Sequence, residues 1–191
     1  MCASCVSAIQ RVRNTDEAVQ SYGFYEGVLK DLICQFKYEN KFSLAKPLAS
    51  LLVNLVPKGV DCLVAVPLHS KKLRSRKYNQ SHLLVREIAF QTRIPDESRV
   101  LRKTILSMSQ KGLSKTERIL NIRDTFSVSL NLWGKHVLMI DDVLTTGATV
   151  MECKRILKKA GAAKVSVLTL ARSMMASSLV DYPKKVHGHV V

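Results

Sequence analysis

The chain has no run of about twenty apolar residues, the length a bilayer-spanning helix needs. Its longest apolar stretch, residues 48–57, is short and broken by Asn54, so no membrane span is expected. No signal peptide is expected either, because Arg11 and Arg13 arrive before an apolar run can develop; the expected location is cytoplasmic. Cysteine is scarce, scattered and odd in number, with Cys2, Cys5, Cys34, Cys62 and Cys153, which argues against a disulfide framework. The last three fall inside apolar patterns, where a thiol usually acts as a small core residue. Aromatic residues make up only 6%, thin for a surface that stacks bases along its length. Acidic residues number 15 against 30 basic ones, a net charge of +15. That surplus attracts nucleic acid, anionic lipid or phosphorylated small molecules, or simply keeps the surface solvated. No Gly-x-x-x-x-Gly-Lys-Ser/Thr occurs, which excludes a Walker-type loop.

At 191 residues there is enough chain for one domain with its own core and a small appendage. Helical spacing begins at Gly27, with Val28, Leu32, Ile33 and Phe36, and recurs over residues 42–56 and 79–92. Pro47 marks a first turn or a kink of the second helix. A further helix is expected around 114–123. A short, continuously apolar run at 62–66 suits a buried parallel strand, 136–140 reads as the second buried strand, and 164–170 as a third strand. A helix carrying Val150, Cys153, Ile156, Leu157 and Ala160 follows the second of these and ends at Gly161. Strands alternating with helices predict an α/β, three-layer domain with a mostly parallel central sheet. Ligands of such sheets bind at the carboxyl ends of the strands.

One of those ends carries the chemistry. Val137-Leu-Met-Ile-Asp-Asp-Val-Leu-Thr-Thr-Gly-Ala-Thr-Val150 runs from a buried strand through two carboxylates into a turn that opens a helix. Asp141 and Asp142 are acceptor-only groups suited to two vicinal hydroxyls. Thr145, Thr146, Gly147, Ala148 and Thr149 bring backbone N–H groups and hydroxyls to a helix N-terminus, a ready anion site. Together they match a ribose 5-phosphate. Adjacent aspartates also occur in the metal sites of phosphatases and receiver domains, but those folds do not require the Thr-Thr-Gly-x-Thr turn.

The segment resembles the phosphoribosyl pyrophosphate motif of type I phosphoribosyltransferases. Val66-Pro-Leu-His-Ser-Lys-Lys-Leu-Arg-Ser-Arg-Lys-Tyr-Asn-Gln-Ser81, Gln110-Lys-Gly-Leu-Ser-Lys-Thr-Glu-Arg-Ile-Leu-Asn121 leading to Phe126, Gly161-Ala162 and Leu170-Ala-Arg172 are similar to segments of the ComF family of competence proteins. The resemblance implies a type I phosphoribosyltransferase-like fold over residues 22–173. Before it, residues 1–21 read as the remnant of a zinc-ribbon-like segment; after it, 174–191 read as a loosely ordered tail. It implies that Asp141 and Asp142 hold the ribose hydroxyls and act as the catalytic pair. The 145–149 turn takes the 5-phosphate, while Leu68, His69, Lys71 and Lys72 face pyrophosphate. His69 reads as a hydrogen-bonding loop residue rather than a catalyst. Mg²⁺ is expected to arrive mainly with the pyrophosphate. Zinc at Cys2 and Cys5 would need two more ligands, from Cys34, solvent or a second molecule. Two departures stand out. Ser70 replaces a usual proline, and Lys77 replaces the glycine of Arg-Gly-Phe-Asn, which puts that loop's backbone conformation in question.

Three readings follow. The first is an active phosphoribosyltransferase acting on phosphoribosyl pyrophosphate. The second is a non-catalytic module that grips a nucleotide or the end of single-stranded DNA, with Arg74, Arg76, Lys77 and Tyr78 on the strand. The third is a scaffold joining a DNA-uptake helicase to other partners. The acceptor and the oligomeric state are not written in the sequence.

Overall fold

In the computed structural model, residues 2–68, 73–74, 76–103 and 126–174 are described. The helix expected around 114–123, the pyrophosphate-side residues His69, Lys71 and Lys72, and the tail beyond residue 174 lie outside them. The main sheet holds β1 (Val19–Phe24), β2 (Cys62–Ala65), β5 (His136–Leu144) and β6 (Lys164–Arg172) in the order β1-β6-β5-β2. All three pairings are parallel. A second, antiparallel pair joins β3 (Leu101–Lys103) to β4 (Phe126–Val128). The helices are α1 (Ala3–Ser7), α2 (Gly27–Tyr38), α3 (Ala45–Val53), α4 (Gln80–Thr92) and α5 (Ala148–Lys159).

Side-chain alternation along each strand divides the core into two layers. Leu63, Ala65, Leu138, Ile140, Leu168 and Leu170 face α2, α3 and α4. Cys62, Val64, Val137, Met139, Val165 and Val167 face α5 and the β3–β4 pair. The helices bury the stripes their spacing announces: Leu29, Ile33 and Phe36 in α2, Leu48, Ala49 and Leu52 in α3, Val150, Cys153 and Leu157 in α5. The expected three-layer α/β architecture is therefore present. Pro47 stands third in α3, where its missing N–H would have had no intrahelical partner. It starts the helix and does not kink it.

Two features differ from the sequence-based expectation. β5 and β6 run longer than their apolar runs, so Asp141 and Asp142 lie within the ladder, with Asp141 opposite Thr169. Second, the N-terminal segment does not stop at residue 21 as a separate piece. Ile9 and Val12 are buried, and Ile9 belongs to the main core. Arg11 pairs antiparallel with Gly23 of β1. The Val12 N–H donates to the Tyr22 carbonyl at 3.3 Å, and the Phe24 N–H to the Gln10 carbonyl at 3.0 Å. Charges and small polar residues hide this docking from a periodicity search. Among the described residues, no helix is long and apolar enough to cross a membrane.

Gly23 is where that docking is tightest. A Cβ there would meet the Gln10 carbonyl oxygen at 2.9 Å, Ile9 Cγ2 at 2.9 Å and Leu29 Cδ2 at 2.8 Å. Gly23→Ala is expected to lower stability by roughly 1–3 kcal/mol through overpacking, read as a fall in the denaturant midpoint at unchanged slope. An unaltered midpoint would show that residues 9–11 yield freely.

Candidate ribose-phosphate site

The site exists because β5 outlasts β2. The last β2 pairing joins Ala65 to Ile140, and the Val66 N–H still reaches the Ile140 carbonyl at 3.0 Å. The chain then departs through Pro67 and Leu68. On its other side β5 stays paired with β6 as far as Leu144 and Arg172. Asp141 to Leu144 therefore border an opening at the carboxyl end of the sheet. Asn79 helps hold that opening. Its side-chain carbonyl caps α4 by accepting from the Ser81 N–H at 3.0 Å, while its amide donates to the Val66 carbonyl at 3.1 Å.

A cavity of about 280 Å³ fills the opening, near the lower end of the roughly 300–1,000 Å³ common for small-molecule sites. Both acids and the whole turn from Thr145 to Thr149 line it, with Lys37, Arg76 and Lys103 adding positive charge. Gly147 takes φ 69° and caps α5; the Met151 N–H closes the first helical bond onto its carbonyl at 2.8 Å. The preceding N–H groups have no carbonyl within the helix to bond, and Thr145 and Thr146 are exposed. The acids and the turn predicted to form one site thus share one cavity.

The two acids are held differently. Neighbours on a strand leave it on opposite faces. Asp142 follows Ile140 toward α2, where Lys37 Nζ lies 2.8 Å from Oδ1 in a nearly buried ion pair. The Asp141 Oδ1 accepts from the Ser81 hydroxyl at 2.9 Å and from the Asp142 N–H at 2.9 Å. Burial, then the Asp142 charge, push the Asp141 carboxyl up to about 7, against the opposing pull of Ser81, the Asp142 N–H and Lys37. One acid therefore lies against an ammonium, and the other holds its proton more tightly than an ordinary carboxyl.

Of the remaining expected residues, Leu68 and Arg76 line the cavity, and Arg74 and Lys77 are exposed. Lys77 adopts φ 63°, so the loop keeps the left-handed turn that the usual glycine would favour. Tyr78 is not presented for stacking. Its ring packs between Phe36 and Phe42, and its hydroxyl donates to the Phe36 carbonyl. The Cys2 and Cys5 sulfurs are 3.2 Å apart, and the Cys2 thiol is lowered to about 6, chiefly by the Ser4 hydroxyl. Cys34 is engaged elsewhere, with its sulfur 3.5 Å from the Tyr25 hydroxyl. Among the described residues no group of three or more His, Cys, Asp or Glu gathers to hold a metal, so the thiol pair alone does not meet the four-ligand need of structural zinc.

Sequence reasoning missed Lys37 and Tyr25, which the cavity includes. One signal was available: Lys37 stands four residues after buried Ile33, on the helix's apolar stripe, where a lysine needs a partner.

Residues 43–188 match the phosphoribosyl transferase domain family. Competence protein F of Haemophilus influenzae is 31% identical over 180 residues, covering 88% of this chain and 78% of that protein. The chain belongs to the ComF family. Competence protein ComFC of Streptococcus pneumoniae is 30% identical over 149 residues, covering 78% of this chain and 65% of that protein. The DNA utilization protein YhgH of Escherichia coli K12 is 32% identical over 158 residues, covering 78% of this chain and 70% of that protein. Among solved structures, the glutamine phosphoribosylpyrophosphate amidotransferase from B. subtilis complexed with ADP and GMP superposes with a TM-score of 0.54 at 20% identity, covering 77% of this chain and 36% of that one. The ComF chain thus has the α/β fold of type I phosphoribosyltransferases.

Two measurements check the site's electrostatics and backbone. A carboxyl whose folded pKa exceeds its unfolded value binds its proton more tightly when folded, so it erodes stability as pH rises from about 4 to about 7. Asp141→Asn should therefore gain on the wild type by on the order of 1 kcal/mol or more over that interval, seen in unfolding curves at stepped pH; a constant difference would contradict the raised pKa. Lys77→Gly should raise stability by about 0.5 kcal/mol and Lys77→Val lower it by about 1 kcal/mol or more, because only glycine takes positive φ without strain.

Proposed function

We propose that the cavity binds a ribose 5-phosphate group, carried by phosphoribosyl pyrophosphate or by a nucleotide. One observation carries this: Asp141, Asp142 and the turn ahead of α5 line the same cavity at the open end of β5. In this reading the ribose hydroxyls rest on the acids, and Asp141 both accepts and, when protonated, donates. The 5-phosphate is taken by the first-turn N–H groups of α5 and the Thr145, Thr146 and Thr149 hydroxyls. Gly147 keeps the backbone free of a Cβ at the point of closest approach.

Magnesium fits as a companion of pyrophosphate. Asp142 is already paired with Lys37, so an ion would draw most of its oxygens from phosphate and water, as Mg²⁺ usually does. It would neutralise the departing anion. Lys103 and Arg76 add positive charge to the cavity.

For transfer to an acceptor, the bond from C1 to pyrophosphate loosens as positive charge grows on the sugar. A dianionic floor would stabilise that charge. Here the Asp142 charge is matched by Lys37, and burial beside Asp142 raises the Asp141 pKa, so the floor is less negative than two free carboxylates. This favours the second reading, a site that grips more than it turns over. The printed names of the relatives, competence and DNA utilization proteins, suggest nucleic acid as the context, and Arg74 and Lys77 supply exposed charge beside the site.

Calorimetric titration with phosphoribosyl pyrophosphate and Mg²⁺ tests the site. Asp141→Asn/Asp142→Asn should weaken binding tenfold or more, about 1.4 kcal/mol; equal affinity in both proteins would undo the assignment. For the strand, the logarithm of the binding constant should fall linearly with the logarithm of salt, by about 0.7 per phosphate neutralised. Arg74→Gln/Lys77→Gln should flatten that slope by roughly 1, and an unchanged slope would remove those two residues from the interface.

A further inference from the structure

The acid pair of the ComF chain has a cation of its own. Lys37 stands one residue before the end of α2, and its Nζ lies 2.8 Å from Asp142 Oδ1, with the two side chains only 11% and 10% exposed. The backbone that carries this lysine is pinned. The Phe36 carbonyl accepts from the Tyr78 hydroxyl, and the Lys37 carbonyl accepts from the Gln80 side-chain amide at 3.5 Å. The Tyr25 ring centroid lies 6.0 Å from Nζ, and the Tyr25 N–H is anchored to the Arg172 carbonyl at 2.9 Å. Both Lys37 and Tyr25 line the ribose-phosphate cavity.

Two neighbouring carboxylates repel each other and gain from a counter-charge. A divalent ion can supply it where the acids are open, because Mg²⁺ binds through one or two carboxylates together with phosphate and water. Here an ammonium is already in contact. A metal ion that displaced it would leave Lys37 nearly buried without a partner, and a metal ion that joined it would stand close to a like charge. Both arrangements are costly. A sugar hydroxyl meets neither obstacle, since a carboxylate accepts at two oxygens and can hold an ammonium at one and a hydroxyl at the other. Lys37 acts on the second acid as well: its charge opposes the rise in the Asp141 pKa.

We propose that Lys37 is the built-in counter-cation of the acid pair and fits the cavity to a ribose 5-phosphate that arrives without a divalent ion. Lys37 is then a specificity-determining residue, and any dependence on Mg²⁺ belongs to a pyrophosphate ester rather than to the acids that hold the sugar. The inference rests on the function proposed above and names the metal-free monoester as a form of ligand the acids accept. A lysine that only fastened α2 to β5 could be replaced without changing which form binds.

Two measurements on the full chain test this. In calorimetric titrations with ribose 5-phosphate, wild-type affinities in EDTA and in Mg²⁺ should agree within about twofold, whereas Lys37→Met should bind about tenfold more weakly in EDTA and regain about threefold or more with Mg²⁺. Lys37→Arg, which keeps the charge, should show no gain from Mg²⁺. In paramagnetic resonance with Mn²⁺ and no sugar, Lys37→Met should acquire a metal site that the wild type lacks and that Lys37→Met/Asp142→Asn loses. Wild-type affinity that rises more than about threefold with Mg²⁺ overturns the proposal, as does a wild-type Mn²⁺ site abolished by Asp142→Asn, or a Lys37→Met protein that binds the sugar in EDTA as tightly as the wild type. Should Lys37→Met fail to fold, the wild-type comparisons decide. If the wild type takes no ribose 5-phosphate in either buffer, the cavity reading falls and the Mn²⁺ contrast alone decides the role of Lys37.

Discussion

Everything at the candidate site follows from one mismatch in strand length. β5 continues past the point where β2 leaves the sheet, yet keeps its ladder with β6 to the end. An unpaired strand edge inside a domain leaves polar backbone without partners, and folds normally cover it. Here the overhang is held straight by one neighbour and left open on the other side. The opening can be wet, and a ligand with hydroxyls and phosphate oxygens can take the water's place. The rigidity comes from apolar packing on both faces below Ile140, so the polar end of the strand is carried by a core that has no part in binding.

The same overhang separates two side chains that look equivalent on paper. One acid meets an ammonium from α2 and the other meets a hydroxyl from the start of α4. Their charges are consequently set by two different helices. A nearly buried ion pair and a carboxyl whose pKa is raised leave the cavity floor less negative than two free carboxylates would, with positive charge at its walls.

How far the residues announced this depends on how local each signal is. The strand, the acids and the turn of residues 137–150 are contiguous, and their arrangement could be read directly, as could the helix stripes and the proline at the start of α3. The glycine position filled by Lys77 was read as a doubt about the loop, and the backbone answers it by adopting positive φ regardless. What escaped was non-local. Lys37 reaches the acids from about a hundred residues away in sequence. Tyr78 and Tyr38 are both tyrosines near basic residues, and only packing decides which one faces the core. The short strands β3 and β4 carry three residues each, too few for alternation to show.

The docking of residues 9–12 on β1 has a consequence for handling the molecule. β1 is the outermost strand of the sheet, and the antiparallel contact at Arg11 and Gly23 covers its free side. The Arg11 guanidinium lies 3.7 Å over the Tyr22 ring, and Ile9 closes against the core beside Leu29. A fragment trimmed to begin at Tyr22 would bare that flank, and bare strand flanks recruit other chains. Expression trials should therefore retain the segment from Ile9 onward; shortening it trades a capped margin for a template on which copies can accrete.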